Sequence, residues 1–306
     1  LILFILSCVL LFRGADQLID NSRLLANKFS ISPILIGATV IAFGTSLPEL
    51  VVSIIFSING ESAKVYGNII GSNIANISLA LGMACFISEF NFSYKKVSSD
   101  INFLFISTLF FIFLIVMNLL DIRFGVLLLF LFFIYIYKLV SDNRGTDNFQ
   151  INSIKNNKYI LNIIFGISLL FAGSFLFDYS SSEIAVYYNV SDMFLGVSLI
   201  AMGTSAPEII TTLIAVSKGE DEFVIGNIIG SNLMNILFVI GVSTIISNID
   251  MISMSPSIIY IQSILLFILT LILYILLIRK SNPGFYDGLL LVAIYIIFLV
   301  FSYGIF

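Results

Sequence analysis

The sequence predicts an all-α polytopic membrane protein, with ten transmembrane helices arranged as two inverted five-helix repeats. Three observations predict it. Of 306 residues, 59% are hydrophobic and only 10% charged, with a mean hydropathy of +1.10, more apolar surface than a soluble domain of this size can hide. The apolar residues fall in continuous runs of about 18–25 residues, not in the short alternating segments of a β-barrel. The segment 37–82 recurs, without a gap, at 196–241.

The first run, 1–27, contains Arg13, Asp16 and Asp20 and reads as a long tilted helix with one face against protein. Those three residues, and Asp178 further on, are expected to be interfacial or mutually paired rather than ligands. Residue 1 is Leu, which leaves room for a missing initiator or processed segment; the run itself reads as a retained helix, not a signal peptide. The runs 33–58 and 66–88 hold the first copy of the repeated segment, and 102–119 and 123–140 complete a first repeat over 1–140. The polar stretch "SDNRGTDNFQINSIKNNK" at 141–158 is the one long connection and reads as a linker. The second repeat, 159–306, holds runs at 159–187, 194–217, 223–247, 257–279 and 285–304. In a chain without Trp, Tyr179, Tyr187 and Tyr188 read as interface anchors.

Lys and Arg set the orientation. Eleven of them (Arg23, Lys28, Lys95, Lys96, Lys138, Arg144, Lys155, Lys158, Lys218, Arg279 and Lys280) fall in or beside alternate connections, against two, Lys64 and Arg123, on the other side. The linker is therefore expected in the cytoplasm and both termini outside. The formal charge of −4 says little about partners, since most charges lie in connections. No His occurs, which excludes a histidine proton relay, a Ser-His-Asp triad and most zinc sites. Cys8 and Cys85 lie in apolar runs without a CxxC and read as buried thiols. Nothing points to an enzyme, an organic cofactor or nucleic acid.

About half of the positions in 37–82 and 196–241 are identical, at an offset of 159, and "LLFRG" at 10–14 pairs weakly with "LLFAG" at 169–173. Five runs per half is an odd number, so the second half must enter the membrane upside down. That is the inverted-repeat plan of secondary transporters, with the binding site near the midplane where the repeats meet.

Each copy contains a hexapeptide ending in a glutamate: "GTSLPE" at 44–49 and "GTSAPE" at 203–208. Pro48 has no amide proton, so the helix is expected to break or kink there, freeing carbonyls around Ala42, Phe43 and Gly44. Such a break persists only against protein or a water-lined cavity. Thr45 and Ser46 place hydroxyls beside it, with Glu49 about one turn further on. Pro207, with Thr204, Ser205, Glu208 and the carbonyl of Ala201, is expected to repeat the arrangement from the other side. Two carboxylates, four hydroxyls and several carbonyls are hard oxygen donors, suited to Na⁺ or Ca²⁺ and poorly suited to soft transition metals. No Lys or Arg occurs in 33–58, 66–88, 194–217 or 223–247, so a bound cation is the natural partner of intramembrane carboxylates. The companion motifs "GNIIGSNIAN" and "GNIIGSNLMN" place Asn68, Ser72 and Asn76, and Asn227, Ser231 and Asn235, at i, i+4 and i+8 on one helix stripe. Asn73 and Asn232 lie beside the stripes. Gly67 with Gly71, and Gly226 with Gly230, form GxxxG patterns that permit close packing.

These paired motifs resemble the two α-repeats of the Ca²⁺/cation antiporter superfamily, and most of all its prokaryotic sodium/calcium exchanger branch. The resemblance covers nearly the whole chain. It implies alternating-access antiport of Ca²⁺ against Na⁺ across the cell membrane, completed within one chain, so that a monomer suffices. Position by position, it implies Glu49 and Glu208 as central Ca²⁺ ligands shared with Na⁺, with Thr45 and Thr204 contributing to both. Ser46, Ser205, Ser72 and Ser231, with the carbonyls of Ala42 and Ala201, resemble the flanking Na⁺ ligands, and Asn76 and Asn235 match the central polar positions. Many sodium/calcium exchangers carry Asp where this chain has Asn235. A Ca²⁺/H⁺ exchanger would carry an acidic residue in place of Ser after the second "GN", and none is present. Ca²⁺/H⁺ antiport is the alternative reading. A cation channel is a third, set back by the inverted internal repeat, because channel filters are usually built by rotational symmetry between subunits.

Overall fold

The computed structural model describes residues 1–92, 94–142, 158–187, 200–250, 256–279 and 282–305, with side-chain surroundings for all of these except 185–186, 200–202 and 301–305. Most of the expected linker, the start of the run at 194, and Tyr188 lie outside the described residues.

Among the described residues every regular element is a helix. In chain order they are α1 (Ile2–Phe29), α2 (Pro33–Thr45), α3 (Leu47–Ile58), α4 (Ser62–Ile87), α5 (Tyr94–Val116) and α6 (Ile122–Asp142). The second half contains α7 (Tyr159–Tyr187), α8 (Ile200–Ser217), α9 (Asp221–Ile246), α10 (Pro256–Ile278) and α11 (Phe285–Ile305). Seven are long and apolar enough to cross a bilayer, or eight when α2 and α3, bent by 47° at their junction, count as one span. The helix expected from residue 102 begins at Tyr94. Its polar first turns carry no hydrophobic signal, and they are anchored where Lys96 meets Glu222 at 2.9 Å.

Local chemistry sets the boundaries. Ser30 closes α1 in the left-handed region (φ 52), and the amide of Ile31 bonds back to the Ala26 carbonyl at 3.0 Å. Two residues on, the Ser32 hydroxyl accepts from the Leu35 amide at 3.2 Å, with Pro33 at the first helical position of α2. Inside α2, α4 and α9 the turns widen to the π form at Gly37–Ile41, Asn76–Ala80 and Met234–Val239, which re-aims side chains within an otherwise continuous helix.

Burial separates a core from a lipid-facing shell. The most apolar stretch of α4 is 83% buried and that of α9 94%, against 22–44% for α1, α5, α6, α7 and α10. The two motif helices with their asparagine stripes thus run through the middle. The pairing of α1 with α7 is close because glycine makes it so: a Cβ at Gly14 would lie 2.8 Å from the Gly166 carbonyl oxygen, and one at Gly173 would lie 3.0 Å from the backbone of Leu11.

The connections gather at two ends. At one, Arg23 meets Glu220 at 3.1 Å, the Phe90 amide bonds the Pro283 carbonyl at 3.1 Å, and Asn162 bonds Asn21 at 3.0 Å. At the other, Ile249 N–H reaches the Leu120 carbonyl at 3.0 Å and Asp250 N–H the Ser62 hydroxyl at 3.1 Å. Arg23, Lys96 and Lys218 thus share one end; Lys64 and Arg123 lie at the opposite end.

Asp16 and Asp20 pair neither with each other nor with Arg13, which is exposed. Both accept from Lys218, each at 2.6 Å. Sequence spacing suggested a local partner; the actual one is some 200 residues away, where α8 ends. Burial alone would lower the Lys218 pKa, but its hydrogen bonds to the two aspartates outweigh that and hold it above the usual lysine value. Because these groups are partly exposed, each pair contributes less than about 1 kcal/mol. Lys218→Ala is expected to lower the melting temperature slightly, and the difference from the unmodified chain should vanish in about 1 M salt; a large, salt-independent loss would show that packing, not charge, holds α1 there.

Candidate cation site

The two hexapeptides meet in the core. Glu49, on the first turn of α3, is 0% exposed, and Glu208, in α8, 1%. Each accepts a hydrogen bond from the serine of the opposite hexapeptide: Ser46 donates to Glu208 Oε1 at 2.8 Å, and Ser205 to Glu49 Oε1 at 3.4 Å. The threonines cross in the same way. Thr45 lies 3.4 Å from the Ser231 hydroxyl and donates to Asn227 Oδ1 at 3.3 Å. Thr204 lies 3.4 Å from Ser72 and donates to Asn68 Oδ1 at 3.2 Å. Each of these six contacts has its counterpart at an offset of 159.

Thr45, Thr204, Ser46, Ser205, Ser72 and Ser231 are thus brought together with the glutamates; Asn76 and Asn235 are buried as well, with no hydrogen bond joining them to this network. Ala42 is buried too, but its carbonyl is not bare: it accepts the Ser46 amide at 3.0 Å and the Thr45 hydroxyl at 3.2 Å. Ala201 lies in the first turn of α8, and its surroundings lie outside the described residues.

Two supporting hydroxyls, Ser53 and Thr212, were not among the residues singled out from the sequence. Asn68 Nδ2 donates to the Ser53 hydroxyl at 2.9 Å and to the Glu49 carbonyl at 3.2 Å, and Asn227 Nδ2 donates to the Thr212 hydroxyl at 3.5 Å. These bonds tie each glutamate-bearing helix to the asparagine stripe of its own half. Ser53 and Thr212 stand at equivalent places, and that shared hydroxyl at an offset of 159 was the available clue.

The halves differ at the prolines. The first hexapeptide splits its helix at Ser46 (φ −86, ψ 9), as expected. The second does not: α8 runs on through Pro207. Pro207 leaves the Gly203 carbonyl without its helical donor, and the Ser174 hydroxyl of α7 supplies one at 2.8 Å. At the place equivalent to Ser174 the first half has Ala15, which has no hydroxyl to offer the Gly44 carbonyl. The helix that continues is thus the one whose exposed carbonyl has a hydroxyl partner.

The unpaired polar atoms mark what the site can hold. Glu49 Oε2, Glu208 Oε2 and both amide atoms of Asn76 and of Asn235 are buried without a hydrogen-bond partner. Orphans at this density need an explanation. Two unpaired carboxylate oxygens in a cluster of hydroxyls fit a hard cation, and the buried amides of Asn76 and Asn235 add two more hard oxygens, while their Nδ2 donors call for water or carboxylate oxygen. Among the described residues no three of His, Cys, Asp or Glu converge, so a cation here has at most two carboxylates and otherwise neutral oxygens.

The chain is similar along nearly its whole length to known proteins. The family profile described as "Sodium/calcium exchanger protein" matches residues 1–140 and 158–304. An uncharacterised membrane protein of Methanocaldococcus jannaschii is 33% identical over 300 residues, covering 96% of this chain and 95% of that one. The sodium/calcium exchanger MaX1 of Methanosarcina acetivorans is 28% identical over 342 residues, 98% of this chain and 97% of that one. Among solved structures, the sodium-calcium exchanger NCX_Mj soaked with 2.5 mM Na⁺ and 10 mM Sr²⁺ superposes with a TM-score of 0.86 at 31% identity, covering 97% of each chain.

Proposed function

The chain belongs to the sodium/calcium exchanger protein family, and from that premise we propose that the crossed serine–glutamate cluster is its transport site. As a member of that family it is a membrane antiporter that exchanges Na⁺ for Ca²⁺, a transporter and not an enzyme. The observation that carries the site assignment is the reciprocal bonding of Ser46 to Glu208 and Ser205 to Glu49, with an orphan oxygen left on each glutamate.

Glu49 and Glu208 are the ligands Ca²⁺ and Na⁺ compete for, and Thr45, Thr204, Ser46, Ser205, Ser72 and Ser231 complete overlapping Na⁺ positions. The carbonyls of Ala42 and Ala201 flank them, and Asn76 and Asn235 turn amide oxygens inward. Exchange follows from competition. A loaded core is neutral and can pass a hydrophobic barrier, whereas an empty dianion resists it. Ten spans in two inverted halves, 1–140 and 159–306, fit the reciprocal pattern of bonds. The gathering of most Lys and Arg at one end supports placing that end and the 141–158 linker in the cytoplasm, with both termini outside, in the cell membrane. Since both halves of the site come from one chain, a monomer suffices.

Asn235 sets the charge. With amides at both 76 and 235 the core carries −2 from its glutamates, which one Ca²⁺ or two Na⁺ neutralise, while a third Na⁺ would leave +1. Transport is expected to persist and to be electroneutral. In proteoliposomes the balance point of Na⁺ and Ca²⁺ gradients should not move with membrane voltage, and Asn235→Asp should restore voltage dependence. A three-to-one, voltage-sensitive exchange by the unmodified chain would overturn the charge argument.

A further inference from the structure

Ser174 is not a ligand in the exchange reading, yet it is tied to the segment that carries the ligands. It is buried in α7, and its hydroxyl donates to the Gly203 carbonyl of α8 at 2.8 Å. That carbonyl is the one Pro207 leaves without a helical donor, because proline has no amide proton to offer four residues on. The site residues of the second half follow directly. Thr204 donates to Asn68 at 3.2 Å, Ser205 donates to Glu49 at 3.4 Å, and Glu208 accepts from Ser46 at 2.8 Å. All three lie within about 7.5 Å of helix beyond Gly203, so a tie at Gly203 fixes the start of the segment that places them. The two helices are in contact at this point: a Cβ at Gly203 would lie 3.1 Å from both Cβ and Oδ1 of Asp178, one turn beyond Ser174. Asp178, expected at an interface or in an ion pair, is instead packed on this backbone. The close approach that glycine permits brings the Ser174 hydroxyl within reach.

In a membrane span, a carbonyl stripped of its backbone donor takes another partner or the helix kinks there. The first half shows the same motif without the partner. Ala15, fully buried, stands where the second half has Ser174. The surroundings of Gly44 are hydrocarbon: a Cβ there would meet Ile167 Cγ1 at 2.7 Å and Leu18 Cδ2 at 3.7 Å. There α2 and α3 part by 47°. Thr45 and Glu49 lie on separate helices, whereas Thr204 and Glu208 share one.

We propose that Ser174 is a positioning residue of the transport site: its hydroxyl takes the place of the amide that Pro207 lacks and holds Thr204, Ser205 and Glu208 on one unbroken helix. It acts through those residues and meets neither ion itself. The proposal rests on the sodium/calcium exchange reading, in which the three residues serve both ions. Loss of the bond should therefore weaken Na⁺ and Ca²⁺ alike.

The test is a double-mutant cycle on the full chain in proteoliposomes, with Na⁺-driven ⁴⁵Ca²⁺ exchange titrated separately in Na⁺ and in Ca²⁺ and normalised to folded protein. Ser174→Ala should raise both half-saturation concentrations about tenfold, the effect of one buried hydrogen bond. Pro207→Ala returns an amide donor to the Gly203 carbonyl, so adding Ser174→Ala to Pro207→Ala should change either half-saturation by less than about twofold. A serine that only strengthened the α7–α8 contact would lower the yield of folded protein and leave the half-saturations alone. Unchanged half-saturations in Ser174→Ala overturn the proposal, and so does an equal shift with and without Pro207→Ala. Should Ser174→Ala fail to fold, recovery of folded, exchanging protein on adding Pro207→Ala supports the proposal and failure to recover overturns it. If the unmodified chain shows no Na⁺-driven flux, the exchange reading fails, and the cycle is read from melting temperatures with and without Ca²⁺. A Ca²⁺-induced rise that is lost in Ser174→Ala and regained with Pro207→Ala then supports the positioning role, and any other pattern overturns it.

Discussion

Glu49→Gln and Glu208→Gln should each lower Na⁺-driven ⁴⁵Ca²⁺ uptake by at least about 30-fold, since removing one charge from a buried, desolvated pairing loses roughly 2–5 kcal/mol. The substitution keeps the shape of the side chain and leaves an amide that can still accept from Ser205 or Ser46, so the fold should survive. What it removes is half of the −2 charge that binds Ca²⁺. With one glutamate left, Ca²⁺ is under-neutralised and Na⁺ is favoured in competition. Equal losses are expected for both variants, because the hydrogen bonds to the two carboxylates are reciprocal. Wild-type flux in both would sink the site assignment. Loss in only one would show that the halves do not share a single ion.

Gly230→Ala should destabilise the protein by about 1–3 kcal/mol, the usual consequence of forcing extra volume into a packed contact. A Cβ there would lie 2.5 Å from Ala38 Cα and 2.6 Å from the Ala38 carbonyl oxygen. Both obstacles are backbone atoms of the widened turn Gly37–Ile41 and cannot swing aside. At Gly226 the obstacle is the Ile34 carbonyl oxygen at 2.5 Å. Helix propensity alone favours Ala over Gly by about 1 kcal/mol, so the expected sign is opposite to the propensity effect and reports packing directly. Thermal unfolding in detergent reads it, and flux should fall as well, because α2 carries Thr45 to the site. Equal or higher stability would mean that α9 and α2 do not meet in this way.

Much of this site is visible in the sequence because its chemistry is local and duplicated. Glu49 and Glu208 stand out as carboxylates in apolar runs, and the offset of 159 shows that Ser46 and Ser205, or Ser72 and Ser231, have equivalent surroundings. Helix positions follow from the same apolar runs, although α5 begins at Tyr94 because a helix can extend through polar turns that hydropathy does not register. What the sequence hides depends on partners far along the chain. Pro207 looks the same as Pro48 locally, yet only Pro207 has a hydroxyl from Ser174 to cover the carbonyl it exposes, and only α2 and α3 bend apart. Asp16 and Asp20 offer no hint of Lys218, and Asp178 looks like an interfacial charge until Gly203 is found against it. The carbonyl of Ala42, free by local reasoning, is claimed by Ser46 and Thr45. At the prolines, at the α1 aspartates and at Asp178 the deciding atom lies on a distant part of the chain, whereas at Ala42 it lies within the same turn.

The central claim, that Na⁺ and Ca²⁺ compete for one pair of glutamates, is tested most directly by ⁴⁵Ca²⁺ uptake into proteoliposomes loaded in turn with Na⁺, Li⁺, K⁺ or a pH gradient. Uptake should follow the outward Na⁺ gradient, fall to background with K⁺ or with a pH gradient alone, and disappear when Na⁺ is equal on both sides. Uptake driven by protons without Na⁺, or Ca²⁺ flux that needs no counter-ion, would contradict it.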